Sequence, residues 1–121
     1  MNNKKIIIAG CRDFTDYAFF KEQLSYCVFP EHFEIVHGVA SGVDTMADYW
    51  ATSRNIPVKK FPANWKKYGN SAGPIRNREM AQYGDQLIAF WDNMSPGTAN
   101  MIAEIKKLDK PYTIIYIRKP L

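Results

Sequence analysis

Three glycine-bearing turns and a small set of arginines are the parts of this 121-residue chain whose residue types and spacing suit chemistry. The turns are Gly10-Cys11-Arg12-Asp13-Phe14, His37-Gly38-Val39-Ala40-Ser41-Gly42-Val43-Asp44 and Ser95-Pro96-Gly97-Thr98-Ala99-Asn100, and each follows a short apolar run. Gly38 and Gly42 let backbone approach a ligand closely, and the helix start behind such a turn aims free N–H groups at an anion. Ser95, Gly97 and Thr98 are placed to do the same at a later helix, with Thr98 adding a hydroxyl. Each turn alone reads equally as a cap. Three at one end of one sheet favour a phosphate site. The spacing is neither Gly-x-Gly-x-x-Gly nor a Walker A loop.

Arg12, Arg76 and Arg78 are the candidate anion partners. Arg76 and Arg78 stand near a helix start, where the dipole prefers carboxylates, so the helix itself does not call for them. Two residues apart, they do not share a face. One is expected to face a ligand and the other a carboxylate such as Glu79 or Asp85. Asp44 either complements a helix dipole or takes ribose hydroxyls. No serine has an evident histidine and acid partner. His37, at the end of a buried strand, reads as a packed, hydrogen-bonded histidine. Cys11, Cys27, His32 and His37 lack metal-ligand spacing, so neither a metal nor a cofactor is expected.

The elements that must position these groups alternate. Strand patterns run over 6–9, 34–37, 57–61, 86–90 and 112–117. Helical patterns run over about 17–28, from 43 to 54, from 75 to 83 and from 97 to 108. A long polar loop, 62–74, precedes the third helix. Such alternation implies parallel βαβ units, and hence an α/β, three-layer Rossmann-like domain over 1–121. The near-continuous apolar strands 1 and 4 belong at the centre, which gives the order 3-2-1-4-5. Ligands in such sheets bind at the strand C-termini beside the switch between strands 1 and 4.

Composition narrows the class of partner. The formal charge is +4, and lysines pair at 59–60, 66–67 and 106–107 without a longer run. That reads as solvated surface, and Trp65-Lys66-Lys67-Tyr68 is too short a basic aromatic patch for a nucleic-acid groove. No apolar run approaches a membrane span, so a cytoplasmic protein is expected. Seven Tyr, seven Phe, three Trp and five Met are many for so small a chain. A homodimer is therefore expected, packed through the second helix (Met46, Tyr49, Trp50) and the third (Met80, Tyr83).

These motifs resemble the YspA/YpsA-related branch of the SLOG superfamily, which is similar to the LOG phosphoribohydrolases and the DNA-processing protein DprA. The matching pieces also include Phe61-Pro62-Ala63-Asn64-Trp65, Ala72-Gly73-Pro74-Ile75-Arg76-Asn77-Arg78-Glu79-Met80 and Phe90-Trp91-Asp92. The resemblance implies a nucleotide-derived small molecule bound by Gly10, Arg12, Gly38, Ser41, Gly42, Asp44, Arg76, Asn77, Ser95, Gly97 and Thr98. Arg76 with Met80 matches an arginine that precedes a methionine by four residues in LOG enzymes. Their glutamate, three residues after the threonine, is Met101 here, and Glu104 lies one turn further on. Arg76, Glu104 and Asp44 are thus the candidate catalytic groups. The resemblance leaves a binding or sensing module, an N-glycosidic hydrolase of a nucleoside monophosphate or ADP-ribose-like molecule, and a DprA-like strand binder, in that order.

Overall fold

The computed structural model describes residues 3–118. Five parallel strands lie in the order β3-β2-β1-β4-β5. They are β1 (Lys4–Gly10), β2 (Phe33–His37), β3 (Val58–Lys60), β4 (Gln86–Trp91) and β5 (Tyr112–Tyr116). The helices are α1 (Tyr17–Ser25), α2 (Val43–Thr52), α3 (Trp65–Tyr68), α4 (Ala72–Tyr83) and α5 (Pro96–Lys107). β1 pairs with β2 from Lys4 opposite Phe33 and with β4 from Ile6 opposite Gln86.

The side-chain period of two explains the three layers. Ile6 and Ile8 of β1 pack with Phe20 and Leu24 of α1 and Val43, Ala47 and Trp50 of α2. Ile7 and Ala9, facing the other way, pack with Met80 of α4 and Met101 and Ile105 of α5. A strand covered on both faces has no polar alternation to show, hence the unbroken Ile-Ile-Ile-Ala run. β3 and β5 are the edges, one short and lysine-bearing, the other largely open to solvent. Asp16 rather than Thr15 caps α1, its carboxylate accepting from Phe19 N–H at 3.0 Å.

Two expectations change. The segment 62–74 is not one long loop: Asn64 accepts from Lys67 N–H at 3.1 Å and starts α3, a 3₁₀ turn follows over Gly69–Ser71, and α4 begins at Ala72. Pro74 falls in the first turn of α4, where its missing N–H costs nothing. The aromatic and methionine side chains offered for a partner are also mostly inside. Met46, Trp50 and Met80 are 8%, 7% and 2% exposed, and the Tyr83 hydroxyl donates to Glu34. Of that set Tyr49 alone is strongly exposed, at 62%.

Candidate functional site

A cavity of about 630 Å³ opens at the C-terminal ends of β1 and β4, where the strand order reverses. The end of β1 supplies Gly10, Cys11, Arg12 and Asp13, and α4 supplies Arg76, Asn77 and Met80. The α5 side supplies Ser95, Gly97, Thr98, Asn100 and Met101, while Asp44 and Trp65 close the remaining walls.

The α5 end is held open by its own turn. Asp92 Oδ1 accepts from Met94 N–H at 2.9 Å and Ser95 N–H at 2.7 Å, and Oδ2 accepts from Ser95 Oγ at 3.1 Å. Ser95 Oγ in turn lies 3.1 Å from Cys11 Sγ. The serine at the helix cap is therefore committed to Asp92 and Cys11 and makes no side-chain cap. Pro96 has no N–H to satisfy. Among the described residues no acceptor lies on the N–H groups of Gly97 and Thr98. Free first-turn donors at the positive end of a helix suit an anion. A Cβ on Gly97 would meet no heavy atom within 4 Å. Nothing in the fold requires this glycine, and it lines the cavity. Burial pushes the Cys11 thiol up, against the hydrogen bond to Ser95.

The β2–α2 turn behaves differently from expectation, because the N–H groups of Gly38, Val39 and Ala40 already have acceptors within the turn. Asp44 Oδ2 accepts from Gly38 N–H at 3.0 Å and Ala40 N–H at 3.2 Å. His37 Nδ1 accepts from Val39 N–H at 3.0 Å, so Nε2 carries the proton toward Asp48 Oδ2 at 2.7 Å. Val43 N–H reaches Cys11 O at 3.2 Å. An anion at this turn would compete with a carboxylate already in place. Asp44 stands in the first turn of α2, where it complements the helix dipole, and it also ties the turn together from inside the cavity wall. Burial pushes its carboxyl above the usual carboxylate range, although Ala40 N–H, His37, Arg76 and Gly38 N–H all favour the charged form. Gly42 lies outside the cavity. Its φ of +70° and the carbonyls of Cys11 and Arg12, 2.4 Å from where a Cβ would sit, demand glycine. Gly38 and Ser41 line a second, adjoining cavity, and Ser41 Oγ donates to Arg12 O at 3.1 Å.

Arg76 faces the cavity and is braced from behind. Its Nη1 donates to Gly38 O, and to Phe61 O at 3.5 Å; its Nε donates to Asn77 Oδ1 at 3.0 Å. Gly38 makes this possible, since a Cβ there would stand 2.4 Å from Arg76 Nη1. Buried Asn77 then donates to Gly97 O at 3.2 Å and Asn100 Oδ1 at 2.9 Å, joining α4 to the first turn of α5. Burial lowers the Arg76 pKa from its ordinary value, opposed by Asp44 and reinforced by Arg12. Arg78 points elsewhere, to Glu104 at 3.6 Å rather than to Glu79 or Asp85. Glu104 also pairs with Lys107 at 3.0 Å and does not line the cavity. One turn further along α5 carries it away from the strand ends, and Met101 fills the place nearer the first turn.

Asn100, Asp13 and Trp65 line the cavity without having been singled out as ligand-binding residues. Gly97, Asn100 and Met101 are spaced i, i+3, i+4, so a helical wheel drawn from Gly97 would have found Asn100.

The parallel 3-2-1-4-5 sheet with this crevice defines a Rossmann-like α/β protein. Residues 4–68 match the model of the YspA, cpYpsA-related SLOG family. The chain belongs to that family. It is 31% identical over 116 residues to the Gene 61 protein of Mycobacterium phage D29, covering 89% of this chain and 93% of that protein. Its fold is similar to that of DNA processing protein A (DprA) from Streptococcus pneumoniae, with a TM-score of 0.71 at 16% identity. The likeness covers 98% of this chain and 52% of the DprA chain, so the chain spans about half the length of that structure. No described helix is long and apolar enough to cross a membrane.

Proposed function

We propose that this protein binds a nucleotide or nucleotide-derived small molecule at the C-terminal ends of β1 and β4, as a sensing or sequestering module. One observation carries the reading: the free N–H groups of Gly97 and Thr98 line the same cavity as Arg12 and Arg76. Neither arginine forms an ion pair among the described residues. A phosphate seated on the α5 N–H groups and the Thr98 hydroxyl leaves the apolar floor of Cys11, Met80 and Met101 for the nucleoside. Family membership supports the same ligand class.

Binding is favoured over cleavage of the N-glycosidic bond. That reaction asks for a carboxylate beside the ribose as positive charge develops there. Glu104 is turned away to Arg78 and Lys107, Met101 takes the place, and Asp44 is bonded to the turn. A compact ligand is favoured over a nucleic-acid strand, because the basic aromatic residues form one four-residue helix rather than a lined groove. Calorimetric titration with the four nucleoside 5′-monophosphates, followed by chromatography for free base, tests the reading. Saturable binding without base release is expected. No heat with any of the four refutes it, and steady release of free base makes the protein a hydrolase.

A further inference from the structure

We propose that the ligand carries a second phosphate with a further group attached: Arg12 and Arg76 seat that phosphate, and the adjoining compartment takes the group beyond it. The inference rests on the nucleotide reading above and extends it to a class, diphosphate-linked nucleoside conjugates.

The second compartment has a volume of about 390 Å³ and shares Arg12, Ala40, Trp65 and Arg76 with the main cavity. Gly97 and Thr98 line only the main cavity. Arg12 and Arg76 line both compartments, so an anion between them stands at the boundary, beyond which Gly97 and Thr98 do not reach. Burial disfavours the charge on Arg76, Asp44 favours it, and the Arg12 guanidinium is near enough to disfavour it further. No carboxylate lies within ion-pair distance of either among the described residues. An anion held between the two arginines offsets that repulsion and gives both guanidinium groups a charged partner at hydrogen-bond distance, which neither has among the described residues.

Beyond the boundary the wall is built for contact. Trp65 and Val39 are 50% and 51% exposed there. Val39 is held at φ +62°, a conformation strained for a β-branched side chain. Three hydrogen bonds impose it: His37 takes the Val39 N–H, and Asp44 takes the N–H on each side. Strain so over-determined, at a cavity wall, marks a surface kept for a ligand. Trp65 adds a ring face, with the Arg12 guanidinium 6.0 Å from its centroid. A planar group stacks there more favourably than a bare phosphate end.

The test is a calorimetric comparison on the full chain. The four nucleoside 5′-monophosphates are titrated first, then the dinucleoside diphosphate of the base that binds best. The dinucleoside diphosphate is expected to bind at least tenfold tighter, about 1.4 kcal/mol. In Arg12→Gln and in Trp65→Ala, both surface changes, the ratio is expected to collapse to within about twofold. A monophosphate that binds while the conjugate binds no better overturns the second seat and leaves the nucleotide reading standing. A preference that survives both substitutions overturns it as well. No binding of any probe refutes the nucleotide reading itself, and this inference with it.

Discussion

Replacing Gly97 with alanine separates fold from function with opposite signs. Gly97 is the second residue of α5, its φ lies outside the left-handed region, and a methyl there meets no heavy atom within 4 Å. Alanine fits without strain and reduces the freedom of the unfolded chain, so Gly97→Ala is expected to stabilise by about 0.4–1 kcal/mol. For a domain of this size that raises Tm by about 1–6 °C. The same methyl occupies open space above the first turn, where a phosphate must come within hydrogen-bond distance of the Gly97 and Thr98 N–H groups. Losing one hydrogen bond to a charged group costs about 1.5–3 kcal/mol, or about 10–150-fold in Kd. The assay is paired: thermal unfolding of the free protein, and calorimetric titration with the nucleotide that binds the parent. A lower Tm would show that the space is not open. Unchanged affinity with a raised Tm would refute a phosphate on the α5 N–H groups.

Gly38→Ala pushes a Cβ against the Arg76 guanidinium and should weaken binding of the dinucleoside diphosphate about as much as Arg76→Ala, about 10–150-fold. The double variant should be no weaker than either single one, and additive losses in titration would contradict the bracing. Burial raises the folded pKa of Asp44 above its unfolded value, so between the two the native state holds a proton that the unfolded chain has released. Its contribution to stability is full below the unfolded value and is lost as pH rises through the folded one. Denaturant titrations should therefore show Asp44→Asn gaining on the parent from about pH 4 to 7, and a constant difference across that range would refute the burial argument. Lys110 Nζ donates to the carbonyls of Ala81 at 2.8 Å, Gln82 at 3.0 Å and Gly84 at 2.7 Å, closing the C-terminal end of α4. Lys110→Met should lower unfolding free energy by about 1–3 kcal/mol by urea titration, and a loss below about 0.3 kcal/mol would contradict that role.

The architecture was legible because hydrophobic continuity and glycine punctuation carry it directly. Ile6-Ile7-Ile8-Ala9 and Leu87-Ile88-Ala89-Phe90 have no polar alternation, which only a strand covered on both faces allows. Strand order followed from which runs were most apolar. The turn residues and Arg76 were also visible as types at strand ends. What each turn does with its N–H groups was not visible, since that depends on side chains folding back. Asp44 takes the Gly38 and Ala40 N–H groups of its own turn, whereas Asp92 draws Ser95 aside and leaves the Gly97 and Thr98 N–H groups of α5 free. The sequence around each is a serine, a glycine and an acid, and only geometry distinguishes them. Arg78 and Glu104 are 26 positions apart on packed helices, so their pairing was beyond local spacing. The helix at Trp65–Tyr68 was missed because a four-residue helix has no periodicity to read.

Amide chemical-shift mapping of isotopically labelled protein, titrated with the nucleoside monophosphate that binds best, tests the central claim most directly. The largest downfield shifts are expected at the Gly97 and Thr98 N–H protons, which gain a phosphate acceptor. The N–H protons of Gly38, Val39 and Ala40, already held by Asp44 and His37, should shift far less. Largest shifts at the Gly38–Ala40 turn or along Trp65–Tyr68, with Gly97 and Thr98 unmoved, would contradict it.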